Sequence, residues 1–177
     1  GGINLYDPGD SLTGRPAAFT HYTEREGLSS NLVNSVIKDN EGILWIGTNK
    51  NLNKYLGKSI MHFTATVGVN GSIKCVIETR NGNLWFGGTS GLSRYDGKFI
   101  TYFTAKEGLI QDNVNTLLED RDGNLWIGTY NGATKYDGKS FSHFIEGQGL
   151  GGRNVQSIIE DKTGTVWFGV YDGGVSK

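Results

Sequence analysis

The sequence predicts an all-β fold, a β-propeller with four repeats of about 41 residues and four antiparallel strands in each blade. A Trp-[Ile/Phe]-Gly signature begins at Trp45, Trp85, Trp126 and Trp167, which are the only tryptophans and lie 40, 41 and 41 residues apart. Glycine supplies 28 of 177 residues at regular spacing, as many tight turns require. Helices are excluded because glycines and turn pairs interrupt each run before about ten residues. A single flat sheet is excluded because it would split and expose sticky edges.

The third repeat shows the elements of one blade most clearly. Asp122-Gly123 and Asp137-Gly138 are strong turn signals between runs of β-compatible residues. The last of these runs alternates apolar and polar residues, as a half-buried strand does. We call the four strands A to D, and they are predicted at Val114–Asp120, Leu125–Thr129, Ala133–Tyr136 and Ser140–Phe144.

The same template divides the chain into five segments of one propeller region. They are a partial blade of strands C and D (1–23), three blades (24–64, 65–105 and 106–145), and a partial blade of strands A to C (146–177). Strand C thus occurs at both ends, as Gly2–Tyr6 and Gly173–Lys177. This surplus favours a piece of a larger propeller. Two alternatives stay open: self-association of two chains into an eight-bladed ring, or a four-bladed ring in which the N-terminal strand D completes the last blade.

We expect the tryptophan of each strand B to pack between neighbouring blades. One large apolar side chain per repeat is what such packing needs. The alternative is an aromatic platform for a ligand.

The composition argues against several classes of partner. The formal net charge is −1 and the basic residues never form a run, so no nucleic-acid partner is expected. No stretch is apolar enough to cross a bilayer, so this segment is not expected to insert into a membrane, and no secretory signal begins it. The single cysteine, Cys75, cannot form an internal disulfide.

No catalytic or metal-binding constellation stands out, and we expect neither an enzyme nor a cofactor. His21, His62 and His143 are repeat equivalents on the D strands of separate blades, which predicts half-exposed strand residues. The run from Asp120 begins like a calcium loop, but position twelve is Asn131 where such a loop has Glu. A hairpin turn in which the aspartate accepts backbone N–H groups is the favoured interpretation.

The first candidate binding set lies on strand A, the innermost strand of a blade. Its four members are polar repeat equivalents that we expect to line the central channel: Asn34, Lys74, Asn115 and Gln156. A solvated channel lining without a ligand is the alternative.

The second candidate set lies where the B–C and D–A loops open together, which we call the loop face. Loops on a rigid scaffold are common sites of function. A tyrosine beside amide, carboxylate and guanidinium groups suits a sugar ring, which has an apolar face and many hydroxyls. Ordinary loop residues are the alternative. The candidates are Tyr130, Asn131, Arg153, Tyr171 and Asp172.

The repeat resembles that of the two-component regulator propeller family. Gly27–Val33 followed by Asp39–Thr48 carries the resemblance, as do Gly108–Val114 with Asp122–Thr129, and Gly91–Gly97 matches the usual end of the unit. The second repeat departs most, with an altered loop at 67–71 and Thr79 where an aspartate stands elsewhere.

The resemblance implies the periplasmic or extracellular sensor part of a bacterial membrane histidine kinase, in a family often linked to glycans. We therefore predict a non-catalytic ligand-sensing propeller for a carbohydrate or other small ligand. A protein-interaction scaffold is the first alternative. The repeat is also somewhat similar to that of streptogramin lyase, a propeller enzyme, which gives the second.

Overall fold

The computed structural model describes residues 1–9, 12–57, 59–64, 69, 71–171 and 173–177. In this part of the chain, seventeen strands form five antiparallel sheets of two, four, four, four and three strands. We number them blades 1 to 5 in chain order. Within each blade, strands that follow one another in sequence are hydrogen-bonded neighbours. The predicted propeller class is confirmed.

Blades 1 and 2 hold the first six strands. Blade 1 is a hairpin of Ile3–Asp7 (β1) and Ala18–Tyr22 (β2), which occupy the C and D positions. A short 3₁₀ turn, Glu24–Glu26, leads into blade 2. The strands of blade 2 are Val33–Lys38 (β3), Leu44–Thr48 (β4), Leu52–Tyr55 (β5) and Ile60–Phe63 (β6).

Blades 3, 4 and 5 repeat the plan. Blade 3 consists of Ile73–Glu78 (β7), Leu84–Gly88 (β8), Gly91–Tyr95 (β9) and Ile100–Phe103 (β10). Blade 4 consists of Val114–Glu119 (β11), Leu125–Thr129 (β12), Gly132–Tyr136 (β13) and Phe141–Phe144 (β14). A second 3₁₀ turn, Glu146–Gln148, precedes blade 5, which consists of Val155–Glu160 (β15), Val166–Val170 (β16) and Gly174–Ser176 (β17).

The blades stack through their A strands, because β3, β7, β11 and β15 contact one another in that order. Strand A is therefore the innermost strand. The bounds predicted for strand B of the third repeat are confirmed, whereas strand A ends one residue early because Asp120 belongs to the turn. The altered loop predicted at 67–71 falls largely outside the described residues.

The signature on strand B is explained by the two faces of a strand. Trp85 and Gly87 point to the following blade, since side chains two positions apart share a face. The Trp85 indole packs with Leu117, Leu125 and Ile127 of blade 4 in one apolar cluster. Trp45 and Trp126 are likewise buried against blades 3 and 5. The expected packing between blades is confirmed for these three indoles, and Trp167, in the last repeat, is partly exposed.

The glycine of the signature leaves room for the next blade. A Cβ atom built on Gly87 would lie 2.4 Å from Cγ1 of Val114, which is the first residue of the next strand A. A Cβ on Gly128 would lie 2.8 Å from Cγ1 of Val155 in the same way. Adjacent blades therefore approach closely at the centre and are held apart by an indole further out.

Each A–B turn of blades 2, 4 and 5 is closed by an aspartate. In blade 4, Asp120 Oδ1 accepts the backbone N–H groups of Asp122 and Asn124 at 3.0 and 2.8 Å. Its Oδ2 accepts the indole N–H of Trp126 at 2.8 Å, and Asp39 and Asp161 repeat both kinds of bond. The turn role predicted for Asp120 is confirmed and extends to Asp39 and Asp161, and the bond to the tryptophan is an addition that the sequence did not indicate.

Acid is expected to weaken this turn. Burial alone would raise the pKa of Asp120, but hydrogen bonds from the Asn124 side chain, the Trp126 indole and the Asn124 backbone outweigh it, so the pKa lies below its ordinary value of 3.8. A lowered carboxyl pKa stabilises the fold above the unfolded pKa, and this stabilisation is lost as the pH falls through the folded pKa. The melting temperature of the wild type should therefore fall more steeply with decreasing pH, below about pH 4, than that of Asp120→Asn. Equal slopes would contradict the assignment.

The N-terminal hairpin packs on blade 2. Tyr22 and Tyr55 meet edge to face with ring centroids 5.2 Å apart, and their hydroxyls are 2.8 Å apart. Among the described residues, β1 and β2 pair only with each other, and β15 to β17 form a separate sheet. The hairpin therefore does not complete the last blade in this structure, in contrast to the four-bladed alternative.

Candidate functional site

The four polar candidates on strand A sit at a break in the strand pairing. Each A–B register skips one residue, between Val33 and Ser35 in blade 2 and at the equivalent places in the other blades. The skipped residues are the candidates themselves: Asn34, Lys74, Asn115 and Gln156. A β-bulge redirects the side chain of its extra residue, so strict alternation does not set the direction of these four side chains.

Three of the bulged side chains reach sideways to the following blade. Asn34 Nδ2 donates to the carbonyl oxygen of Ile73 at 2.9 Å. Lys74 Nζ donates to Asn115 Oδ1 at 2.8 Å, and Asn115 Nδ2 donates to the carbonyl oxygen of Val155 at 3.0 Å. These bonds join the inner strands of successive blades. Gln156, in the last blade, donates to Asn154 Oδ1 within its own blade at 2.6 Å.

Lys74 connects this inner row to the loop face. Its Nζ lies 4.7 Å from the ring centroid of Tyr130 and donates to Asn113 Oδ1 at 2.6 Å. Burial lowers the pKa of the Lys74 ammonium. A cation over an aromatic face stabilises both groups, so Tyr130 is held in place at the inner rim of the loops.

A groove on the loop face brings two of the loop candidates together. Asn131 and Arg153 line it with Glu146, Gly147 and Ile145, and its volume is about 320 Å³. Arg153 Nε donates to Glu146 Oε2 at 3.2 Å, which orients both charged groups at the surface. Glu146 is not among the residues predicted from the sequence, although the loop that carries it is. The groove offers an amide, a carboxylate and a guanidinium beside an apolar side chain.

Two tyrosines of the loop face occupy equivalent places in successive blades. Tyr130 is 47% exposed and Tyr171 is 71% exposed, so both rings are accessible on the loop face. Their backbones are anchored, since Tyr130 N donates to the carbonyl oxygen of Asn113 and Tyr171 N to that of Asn154. Asp172, the remaining candidate, lies outside the described residues.

A different cavity, of about 220 Å³, is strongly apolar, but its lining corresponds to the residues that surround a tryptophan indole between other blades. It lies between the N-terminal hairpin and blade 2. The equivalent side chains of blade 3 pack around the indole of Trp45. The cavity is therefore built for an indole of a repeat rather than for a soluble ligand. Its blade 2 lining is Val36, Leu44, Ile46, Tyr55 and Ile60.

The histidines and the cysteine take no part in either region. His21, His62 and His143 are exposed on outer strands of three blades. Within the described ranges, no group of three histidine, cysteine or acidic residues is placed to hold a metal ion. The Cys75 thiol lies 3.7 Å from the carbonyl oxygen of Gly87, and burial raises its pKa to about 12, which disfavours the nucleophilic thiolate.

Solved structures share this architecture. An extracellular domain assigned to a hybrid two-component system of B. thetaiotaomicron is 26% identical, with a TM-score of 0.78 over 99% of this chain and 23% of that one. A second such domain from the same organism is 23% identical, with a TM-score of 0.77 over 98% of this chain and 24% of that one. The chain thus spans about a quarter of the length of these structures.

More distant propellers have the same fold. A catalytically inactive variant of virginiamycin B lyase from Staphylococcus aureus, solved with quinupristin, is 14% identical. Its TM-score is 0.66 over 92% of this chain and 59% of the lyase. At this identity the likeness shows the fold alone. The comparison with curated proteins gives no significant match.

The described residues include no helix long and apolar enough to cross a membrane. The family model for the two-component regulator propeller matches four segments, which cover more than half of the chain and each contain one Trp-x-Gly signature. The segments are 27–50, 68–90, 108–131 and 149–172. The chain therefore belongs to the two-component regulator propeller family.

Proposed function

We propose that this propeller is a non-catalytic binding module of a bacterial sensor and that its loop face takes a carbohydrate. The observation that carries the proposal is the pair of exposed tyrosines, Tyr130 and Tyr171, at equivalent positions of blades 4 and 5. Exposed aromatic rings on anchored backbones lose little conformational entropy when they meet a flat ligand.

The groove on the loop face suits a ligand with many hydroxyl groups. The Asn131 amide both donates and accepts hydrogen bonds, Glu146 accepts and Arg153 donates. These are the partners that sugar hydroxyls need, and the tyrosine rings offer the apolar surface that the faces of a sugar ring need. A groove of about 320 Å³ has room for a small saccharide unit.

The location and the signalling role rest on the relatives. The 26% identical structure is an extracellular domain of a two-component system, so we infer a periplasmic or extracellular place for this chain. Ligand binding would favour one arrangement of the attached signalling parts over another. It can do so only to the extent that the ligand binds one arrangement more tightly.

Positions of the histidines favour binding over lyase-like catalysis. A general base must come within hydrogen-bond reach of the proton that it removes. The three histidines lie on outer strands, away from the loop-face groove, whose lining is free of histidine. A role in docking other proteins remains the competing proposal.

A glycan microarray followed by titration calorimetry tests the proposal. For the best glycan, Tyr130→Ala and Tyr171→Ala should each weaken binding about tenfold or more, because each removes an aromatic contact. Phe99→Ala is the matched control, since Phe99 is 71% exposed in the C–D turn of blade 3, on the opposite side of the blades, and should leave binding unchanged. A glycan that binds both tyrosine variants as well as the wild type would refute the site. Absence of any glycan binding would favour the docking role.

A further inference from the structure

The face opposite the loops carries a repeated bridge made by arginine. The A–B turns lie on this turn face, and the residue after the turn aspartate is arginine in blade 4. Arg121 Nε donates to Glu160 Oε1 of blade 5 at 2.7 Å, and its Nη2 donates to the carbonyl oxygen of Asp161 at 2.7 Å. The backbone N–H of Arg121 also donates to Glu160 Oε2 at 2.8 Å. The guanidinium therefore crosses from one blade to a carboxylate and a carbonyl of the next.

Blade 3 makes the same bridge to blade 4. The backbone N–H of Arg80 donates to Glu119 Oε2 at 2.9 Å, and Nε lies 3.6 Å from the same oxygen. Its Nη1 donates to the carbonyl oxygen of Arg121 at 2.8 Å, and its Nη2 donates to that of Asp120. Two successive interfaces thus use one arrangement: a glutamate at the end of strand A and turn carbonyls receive a planar fork of donors.

The interface between blades 2 and 3 has the acceptors without the arginine. Asn40 stands where Arg80 and Arg121 stand, and its backbone N–H still donates to Glu78 Oε2 at 2.8 Å. The asparagine side chain is too short to place a guanidinium between the blades. A groove of about 500 Å³ opens here, lined by residues that include Asn40, Glu78, Trp45, Leu84 and Tyr95.

We propose that this groove binds the guanidinium group of an external ligand, such as an arginine side chain. Glu78 is the carboxylate partner, as Glu119 and Glu160 are in the next two interfaces. In blade 5, the Asp161 carbonyl oxygen accepts two donors: the backbone N–H of Gly164 at 3.1 Å and the guanidinium of Arg121. In blade 3, the equivalent Thr79 carbonyl oxygen accepts the backbone N–H of Gly82 at 2.8 Å. A carbonyl oxygen has two lone pairs, so the Thr79 carbonyl can receive a second donor in the same way.

The groove selects a guanidinium over other cations by shape and by its apolar wall. Planar donors match a carboxylate and a carbonyl side by side, whereas an ammonium presents a single point charge. Tyr95 lines the groove and is only partly buried, so its ring provides a surface for an aliphatic stem.

The charged side chains near Glu78 have other partners, so its carboxylate can pair with a ligand. Asp39 is engaged by the Trp45 indole N–H at 2.7 Å and by its own turn, and Lys54 Nζ lies over the Trp45 ring, 5.0 Å from its centroid. The guanidinium of Arg80 points to blade 4. This site is on the opposite face from the carbohydrate proposal and does not depend on it.

An NMR titration of the full chain tests the site with three probes. Methylguanidine reports the guanidinium alone, N-acetyl-arginine amide adds the stem, and N-acetyl-lysine amide is the ammonium control. The arginine probe should shift the Asn40 amide and the Trp45 indole N–H signals saturably, with a dissociation constant of about 1–10 mM, as two hydrogen bonds from a charged group allow. Tighter binding of the arginine probe than of methylguanidine would assign the site to arginine side chains. Equal binding would assign it to small guanidinium compounds.

Two variants make the test decisive. Asn40→Arg should fill the groove with its own guanidinium and weaken the arginine probe at least about tenfold. Arg80→Asn should open a second site, seen as new saturable shifts of the Trp85 indole. No saturable shift in the wild type up to about 50 mM of the arginine probe, five times the weakest expected constant, would overturn the proposal, as would equal shifts in wild type and Asn40→Arg. A thermal melt of each variant confirms that it is folded.

Discussion

Replacing Trp126 by alanine is expected to lower the free energy of unfolding by about 3–5 kcal/mol. The indole is only 8% exposed and packs in a cluster with Val155 and Ile158 of the next blade. Its ring centroid lies 5.3 Å from that of Phe168, in an edge-to-face arrangement. The substitution leaves a cavity between two blades and removes the N–H donor to Asp120. Urea denaturation followed by circular dichroism measures the loss.

Trp167→Ala is the matched control for this prediction. Trp167 has the same place in the signature and the same bond from its indole N–H to an aspartate, Asp161, at 2.7 Å. It is partly exposed, because no further blade of the described chain covers it. Trp167→Ala should therefore lower the free energy of unfolding by less than half as much as Trp126→Ala does. Equal losses for the two variants would mean that packing between blades is not the source of the effect.

Gly87→Ala is expected to lower the free energy of unfolding by about 1–3 kcal/mol, as overpacking a core does. The new methyl group would lie 2.4 Å from Cγ1 and 2.8 Å from Cβ of Val114, which is fully buried. Blade 4 would have to move away from blade 3, and this would loosen the packing around Trp85. The same denaturation experiment measures the loss.

Gly169→Ala is the matched control for Gly87→Ala. A Cβ there would meet only Ser157 within 3.5 Å, at its hydroxyl oxygen 2.3 Å away, and a serine side chain can rotate. Because alanine also restricts the unfolded chain, this variant should be neutral or more stable by about 0.4–1 kcal/mol. The two substitutions are thus expected to differ in sign. If Gly87→Ala were also neutral, the close approach of the blades would be wrong.

The period of the signature was enough to predict the blades, because its tryptophan and its glycine both have a role in packing. Trp85 fills the space between two sheets, and Gly87 allows the inner strands to meet, so neither can be replaced freely within a repeat. Turn pairs such as Asp137-Gly138 then locate the ends of strands. These are local signals, and they recur in each repeat, which makes an isolated coincidence improbable.

The bulge in strand A could not be predicted from the sequence. The register shift leaves Asn115 unpaired in its own sheet, and its amide donates to the carbonyl oxygen of Val155 in the next blade. The bond from the Trp126 indole N–H to Asp120 was also missed, since it joins residues six apart across a turn. Both features depend on the spatial relation of two strands, about which a single run of residues carries little information.

For the candidate site, the sequence indicated the loops but not how their side chains meet. Tyr130 and Tyr171 could be identified as departures from the other repeats. Lys74, which lies over the Tyr130 ring, comes from strand A of the preceding blade, and Glu146, which pairs with Arg153 in the groove, comes from the loop before blade 5. The turn-face groove shows the same limit, because Asn40 in place of arginine gains a meaning only once the bridges of Arg80 and Arg121 are known.

A double-mutant cycle between Trp126 and Phe168 tests most directly the claim that each indole is held by the following blade. We predict a coupling free energy of about 0.5–1.5 kcal/mol for the pair, as for other aromatic contacts between buried rings. Trp45 in blade 2 and Phe168 in blade 5 are separated by two intervening blades, so the effects of this pair should be additive within about 0.3–0.5 kcal/mol. Additive effects for Trp126 and Phe168 as well would contradict the account.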